Sequence, residues 1–396
     1  MPDPLGWLEE ELRGWTQAHR LRRLVVRQGS PAPRVCIDGR EYLHFASNDY
    51  LGLAQHPRVV QAAVEAARQY GWGSGASALV VGHSTPQQQL EEALARFERT
   101  EAAVVFPSGY AANLGTVAAL VGREDAIFSD QYNHASLIDG ARLSRARVFI
   151  YRHGEADHLE QLLREHAAGF RRRLILTDGV FSMHGDLAPL PQLVDLAHRY
   201  ECMLLVDEAH GTGVLGPGGR GAAEQLGVHQ QVAIRVGTLS KALGSQGGFV
   251  AGSEELVLHL VNRARSLVFS TAMPPASAAA AQAALELVQQ EPQRREKLLH
   301  LAARLRLGLR EQGWQVPEGI TPIVPVFVGS EEQVLQLAAV LRKQGLWVPA
   351  IRPPSVPPGQ CCLRISLSAQ HTPEQVDRLC EALAGLRGRL QHTPGE

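Results

Sequence analysis

Lysine is nearly missing from this chain of 396 residues: Lys241, Lys297 and Lys343 stand against 36 arginines. Cysteine is scarce too. The five cysteines, Cys36, Cys202, Cys361, Cys362 and Cys380, are odd in number and include no C-x-x-C spacing, which argues against a disulfide framework or a zinc ribbon and for a reducing compartment. Long apolar runs are absent as well, because the alanine-rich stretch from Ala276 is preceded by Pro274-Pro275 and interrupted by glutamine. The start, with Glu9-Glu10-Glu11 close behind it, has no basic segment leading into an apolar one. Formal charge is −1, which disfavours a general phosphate-backbone binder but leaves room for a local basic pocket. The expectation is a cytoplasmic protein with neither a nucleic-acid nor a membrane partner.

What is present reads as a large globular α/β chain, with 45% hydrophobic and 20% charged residues. Residues 1–55 read as an arm: an amphipathic helix from Leu5 to about Arg23, then a hairpin from Arg34 to Phe45 around the turn pair Asp38-Gly39. Residues 56–290 alternate helices with short apolar runs, at Ala102 to Phe106, Ala126 to Ser129, Arg147 to Tyr151, Arg173 to Thr177, Met203 to Asp207, Val232 to Val236 and Gly248 to Ala251. Runs apolar on both faces predict a mostly parallel sheet covered by helices on each side. The polar stretch Gln289 to Glu296 marks a boundary, and residues 291–396 read as a smaller α+β domain. Two capping boxes there, Ser330-Glu331-Glu332-Gln333 and Thr372-Pro373-Glu374-Gln375, open helices.

In open α/β sheets the ligand lies beyond the carboxyl ends of the strands. Three such ends carry chemistry. After Phe106, Pro107-Ser108-Gly109-Tyr110 is a small-residue turn into a helix, suited to a phosphate, though an ordinary connection has the same look. Asp207 ends a buried strand, where a carboxylate needs a cationic or N–H partner; a structural aspartate held by backbone amides is the competing reading, and a metal on Asp207 and His210 lacks further ligands. Lys297 and Lys343 sit among other charges on helices, as solvated faces do. Lys241 instead occupies the uncharged turn Gly237-Thr238-Leu239-Ser240-Lys241-Ala242-Leu243-Gly244. An apolar cleft there would lower its pKa from about 10.4 towards neutrality, the condition for a Schiff-base amine. A strand-end aspartate for a pyridinium nitrogen, a Schiff-base lysine and a phosphate cradle, in that set, specify pyridoxal 5'-phosphate.

The ordered segments Ser47-Asn48-Asp49-Tyr50-Leu51-Gly52-Leu53, Gly73-Ser74-Gly75-Ala76-Ser77, Ser108 to Asn113, Asn133-His134-Ala135-Ser136-Leu137, Gly179-Val180-Phe181-Ser182-Met183, Asp207 to Gly213 and Thr238-Leu239-Ser240-Lys241 resemble the α-oxoamine synthase family over nearly the whole chain. The resemblance implies a fold-type I, aspartate-aminotransferase-like transferase: a large domain with a mostly parallel sheet and a smaller α+β C-terminal domain. It implies pyridoxal phosphate and a decarboxylative condensation of an amino acid with an acyl thioester. The segments Ser270 to Pro275 and Ala350 to Pro357 resemble the branch that joins L-alanine to a pimeloyl thioester in biotin biosynthesis; a glycine-using synthase, or a promiscuous member accepting several acyl donors, is the alternative.

The same resemblance distributes roles. Lys241 is the Schiff-base residue and base, Asp207 keeps the pyridine nitrogen protonated, His134 stacks on the ring, and Ser182 and His210 reach its phenolic oxygen. Gly109, Tyr110 and Thr238, helped by Ser240, take the phosphate, and Ser270 and Thr271 reach the phosphate of a partner subunit in a homodimer with shared sites. Arg364 receives the amino-acid carboxylate, with Asn48 as an additional contact, while Arg22, Arg352 and Ser355 line the acyl side, whose carrier is coenzyme A or an acyl carrier protein. Departures from the family pattern are Ser355 for threonine, Cys362 for an arginine, His184 for an aspartate, Gln87 for a histidine and Ala78 for a larger residue; none removes a catalytic group.

Overall fold

A computed structural model describes residues 3–390, with side chains described through Arg387. They group into two compact units, one of residues 49–182 and 186–297, the other of residues 3–48, 183–185 and 298–390.

The first unit is built on a seven-stranded sheet. Its strands are β1 (Ala102–Phe106), β2 (Ala126–Asp130), β3 (Arg147–Tyr151), β4 (Arg173–Asp178), β5 (Met203–Asp207), β6 (Ile234–Thr238) and β7 (Gly248–Gly252). Their order is β1-β7-β6-β5-β4-β2-β3, parallel except that β7 runs against both neighbours. Every residue of β2, β6 and β7 is buried, which is why no polar alternation marks them in the sequence. Valines, leucines and isoleucines of β1, β4, β5 and β6 pack with Ala112, Val117, Leu137 and Leu260 from the covering helices. The sixth apolar run is registered two residues later than its sequence suggests, because pairing begins at Leu205 opposite Ile234. The alanine-rich stretch forms helix Pro275–Gln290 and buries Ala276, Ala278, Ala280, Ala281 and Ala284.

The second unit joins both ends of the chain. The hairpin forms from Arg34–Ile37 and Arg40–His44, with Asp38 and Gly39 at φ +52° and +74° as a two-residue turn of this kind requires. Leu346–Trp347 then adds in parallel to Arg40–His44, so the predicted arm shares a sheet with C-terminal residues through pairing that spans some three hundred positions. A second sheet has the order Ile323–Gly329, Cys361–Ser366, Ala350–Ile351. Both capping boxes form, with Gln333 N–H donating to Ser330 Oγ at 3.2 Å and Gln375 N–H to Thr372 Oγ1 at 3.3 Å. The N-terminal helix is shorter than its pattern, Trp7–Gln17, and none of its residues is buried, so no packed face holds the chain helical beyond Gln17. Among the described residues no helix is long and apolar enough to cross a membrane.

One buried cluster in the first unit makes stability depend on pH. Glu98 is fully buried, with His229 Nε2 3.6 Å and Arg235 Nη1 4.0 Å from its Oε2. Burial outweighs the arginine and raises the Glu98 carboxyl to about 8; burial also lowers His229 to about 4. The folded chain therefore keeps a proton on Glu98 that the unfolded chain, titrating near 4.5, has released. Stability contributed by that proton falls as pH rises from 4.5 through about 8. His229 acts in the opposite sense between about 4 and 6.5, so the slope is clearest above that range. Glu98→Gln should flatten the pH dependence of urea unfolding between 6.5 and 8; an unchanged slope would assign it to another group.

Candidate active site

Five carboxyl ends, those of β1, β2, β4, β5 and β6, meet at one edge of the sheet and enclose a cleft of about 210 Å³. It is lined by Gly109, Tyr110, His134, Ser182, Asp207, His210, Thr238 and Lys241, eight residues that the sequence singles out at scattered positions. The strand ends explain the convergence: each of these residues lies at or within five positions beyond the last residue of its strand.

At the β1 end, Ser108 caps helix Gly109–Leu120, its hydroxyl accepting the Ala111 N–H at 3.1 Å. The N–H groups of Gly109 and Tyr110 open that helix and have no acceptor within it, which makes the turn a site for an anion. Glycine is required beside this turn, at position 248. A Cβ on Gly109 would come within 3.2 Å of Thr238 Oγ1, and one on Gly248 within 2.6 Å of the Gly109 backbone, so β7 and the cradle touch main chain to main chain. Thr238 Oγ1 is 2.8 Å from Ser240 Oγ and donates to the Gly247 carbonyl at 3.0 Å.

Across the cleft, Asp207 and Asp178 are paired residues on adjacent strands. Asp207 is held by two donors, the Asn113 Nδ2 at 2.5 Å and the Ala209 N–H at 2.8 Å. Asn113 also donates to Ser136 Oγ at 2.9 Å, and Ser136 Oγ lies 2.7 Å from His134 Nδ1. Burial, reinforced by the neighbouring Asp207, raises the Asp178 carboxyl well above its usual range, so a proton stays on Asp178. Asp178 Oδ2 accepts the His134 N–H at 3.1 Å. Partial desolvation lowers the His134 imidazole, with Asp207 opposing that shift and Lys241 adding to it. His134 thus presents a neutral ring at the cleft, edge-on to Tyr110 with centroids 6.4 Å apart.

Lys241 reaches in from the β6 turn. Its Nζ is 2.9 Å from His210 Nε2, and His210 Nδ1 is 2.6 Å from the hydroxyl of the fully buried Tyr50. An ammonium at Lys241 donates to His210, which then carries its own proton on Nδ1 and donates to Tyr50. Tyr50, Asn113 and Ser136 belong to segments quoted for the resemblance and Asp178 stands just before one, but their roles here depend on partners between 23 and 160 positions away.

The residues suit pyridoxal phosphate: an amine at Lys241, a charged carboxylate at Asp207 facing the same space, and a helix N-terminus with a hydroxyl at Thr238. Ser270 and Thr271 lie elsewhere in this unit. Ser270 lines a separate apolar cavity with Leu79, Val105 and Met273, and Thr271 is exposed and bridged to Ser77. Gln87 fills the neighbouring space, donating to the carbonyls of Met273 at 2.5 Å and Gly82 at 3.1 Å.

The other unit carries the remaining predicted residues in two groups. Arg364, buried on strand Cys361–Ser366, donates to Ser366 Oγ at 2.7 Å and to Asn48 Oδ1 at 3.4 Å. Arg22 donates to Ser355 Oγ at 3.2 Å. Partial burial, together with the charge of Arg22, lowers the Arg352 guanidinium, which places these two cations near one another. Cys362 is buried beside Arg364, and burial pushes its thiol up to about 12, so it adds no charge at neutral pH. His184 Nε2 lies 3.4 Å from Gln360 Oε1.

The chain is similar to known proteins over most of its length. A family model for aminotransferase class I and II matches residues 40–383. The 8-amino-7-oxononanoate synthase of Geobacter sulfurreducens is 50% identical over 382 residues, covering 96% of this chain and 97% of its own. A serine palmitoyltransferase of S. paucimobilis, solved with a PLP–myriocin aldimine, superposes with TM-score 0.93 at 30% identity, covering 98% of this chain and 99% of that one. A solved 8-amino-7-oxononanoate synthase of Francisella tularensis gives TM-score 0.76 at 29% identity over 88% of this chain and 98% of its own. With the cofactor residues gathered at the strand ends and relatives matching almost end to end, the chain belongs to the aminotransferase class I and II family, in its α-oxoamine synthase branch, and is a pyridoxal-phosphate-dependent acyltransferase.

Proposed function

We propose that the chain condenses L-alanine with a pimeloyl thioester to form 8-amino-7-oxononanoate, carbon dioxide and the free thiol, a step of biotin biosynthesis. The Cα–carboxylate bond of alanine and the thioester C–S bond break, a Cα–acyl bond forms, and one proton is taken up to give the thiol. Bound pyridoxal phosphate supplies an electron-withdrawing ring that takes up the electron pair left at Cα. The observation that carries the reading is the cleft in which the Lys241 amine lies 2.9 Å from His210, with Asp207 lining the same space.

Lys241 would hold the cofactor and, as a free amine, would accept the alanine α-proton; His210 and Tyr50 stand behind it as the route by which that proton would be shared. Asp207 would keep the ring nitrogen protonated, His134 would hold the ring, and Ser182 with His210 would serve its phenolic oxygen. Gly109, Tyr110 and Thr238 hold the phosphate. Arg364 takes the alanine carboxylate through its guanidinium fork, oriented by Asn48, while Arg22, Arg352 and Ser355 receive the acyl side, where two neighbouring cations suit an anionic group. Ser270 and Thr271 serve the cleft of a second copy. The exposed apolar residues Trp72, Leu79, Val80, Val81 and Phe269 in this unit support a homodimer.

Turnover assays with alanine or glycine and with pimeloyl, acetyl or succinyl thioesters test the reading. Alanine with the pimeloyl thioester should release thiol and carbon dioxide in equal amounts, about tenfold or more faster than any glycine pair, since one methyl in a fitted pocket is worth about 10–200-fold. Thiol release that does not depend on alanine would end the proposal. Running coenzyme A and carrier-protein thioesters side by side distinguishes the carriers.

A further inference from the structure

His153 lines no part of the Lys241 cleft, yet it joins two of the segments that do. It sits just past β3, with Nδ1 3.0 Å from Asp130 Oδ1 and Nε2 2.8 Å from Asp186 Oδ2. A carboxylate only accepts, and a neutral imidazole has one N–H to give. Both bonds are therefore made only by the imidazolium. Packing fixes the ring between the face of Tyr132, 4.5 Å away and tilted by 29°, and the edge of Phe181, 4.3 Å away at 87°. Burial works against the charge, but the two carboxylates prevail and keep the ring protonated to about 9. Among the groups facing His153 are Asp130, Asp186, Tyr132 and Phe181, and the charge of Asp130 is also felt by Tyr151 and Asp178. Its neighbour Arg152 is engaged with Glu155.

Each carboxylate belongs to a working segment. Asp130 ends β2 and also accepts the N–H groups of Tyr132 at 2.8 Å and Gly154 at 3.0 Å, shaping the turn that leads to Asn133 and His134. Asp186 closes the loop that carries Ser182: its carbonyl accepts the Phe181 N–H at 3.0 Å, and Val180 bridges Leu187.

We propose that His153 is a positioning residue for the cofactor site: by bridging Asp130 to Asp186 it sets the His134 turn and the Ser182 loop at a fixed spacing, keeping both side chains in register with the cofactor. The proposal deepens the reading of the cleft and rests on the cofactor contacts assigned there to His134 and Ser182.

Two measurements on the full-length protein separate the two. Hydrogen exchange, followed by mass spectrometry with and without pyridoxal phosphate, reports the loop itself; the rate of cofactor release reports its consequence. His153→Gln removes one of the two bonds and should speed exchange in peptides covering 180–188 at least tenfold even without cofactor, while peptides from helix Pro275–Gln290 keep the parent rate. Cofactor release should rise by a similar factor. Asp186→Asn keeps both bonds with a neutral ring, since Asn can donate to Nε2 while Nδ1–H donates to Asp130. This variant should exchange within about threefold of the parent at pH 7.5, and should avoid the loosening that the parent shows as pH passes about 9, where His153 loses its proton. Unchanged exchange in His153→Gln overturns the proposal. Should His153→Gln fail to fold, an Asp186→Asn protein with the parent's alkaline loosening overturns it equally. Faster exchange with unaltered cofactor release leaves the clamp standing and removes its link to the cofactor contacts, which sinks the positioning role.

Discussion

Lys241→Arg is expected to lower kcat by at least about 10⁴-fold, the loss that goes with removing a nucleophile and proton acceptor in one substitution. Charge is preserved, so a role confined to electrostatics would leave much of the activity in place. Arginine cannot serve because its guanidinium stays protonated and offers no free amine to a carbonyl. Folding should be nearly unaffected, as the Lys241 turn is held by main-chain bonds such as Ser245 N–H to the Leu239 carbonyl at 2.8 Å and Gly244 N–H to the Lys241 carbonyl at 2.9 Å. Borohydride reduction of the parent, followed by peptide mass mapping, should place a pyridoxyl mass on Lys241; the variant should show none. A stable pyridoxyl adduct at Lys297 or Lys343 in the parent would overturn the assignment.

Asp207→Asn should cost about 10²–10³-fold in kcat, the range seen when one fixed electrostatic partner of a reacting group is lost in a dry site. The geometry makes this substitution more damaging than its size suggests. Both carboxylate oxygens already accept from the protein, one from Asn113 and one from the Ala209 N–H. An amide turned either way sets an N–H against one of those donors, and the negative charge is gone in either case. Cofactor affinity should fall together with kcat, whereas the KM for the acyl thioester should stay near the parent value, because Arg22, Arg352 and Ser355 are untouched. Asp207→Glu keeps the charge but moves it by a methylene and should recover part of kcat. A kcat within tenfold of the parent for Asp207→Asn would remove the ring-nitrogen role.

The residues proposed for the cofactor stand out in the sequence because each is a local anomaly. Lys241 is a lone lysine in a hydroxyl-rich, uncharged turn, Asp207 is a charge at the end of an apolar strand, and Ser108-Gly109 is a small-residue step into a helix. Strand limits were legible in part: β1, β3 and β5 begin and end where their apolar runs do, whereas the wholly buried β2, β6 and β7 depart from theirs by one or two residues. Less of the support was visible. Asn113 is an ordinary polar residue inside a helix until Asp207 is found 2.5 Å away, and Tyr50 is one more buried aromatic until its hydroxyl is found on His210. His153 is an unremarked histidine in Arg152-His153-Gly154 until both its nitrogens are seen to meet carboxylates 23 and 33 positions distant.

By itself the sequence determined the class of the protein: an α/β chain whose strand ends carry an amine, a carboxylate and a small-residue turn into a helix, with lysine at only three positions and one of them in an uncharged turn. Those properties follow from residue type and short-range pattern, through periodicity, capping and turn chemistry. Tertiary structure alone decided that β7 runs antiparallel between β1 and β6, that Leu346–Trp347 completes the sheet begun by the N-terminal hairpin, and that the carboxyl of Asp178 is raised well above its usual range. Each of these depends on which distant groups come together and how much water they exclude. Hydrogen-bond partners and desolvation are properties of the assembled chain, and no local stretch of sequence encodes them.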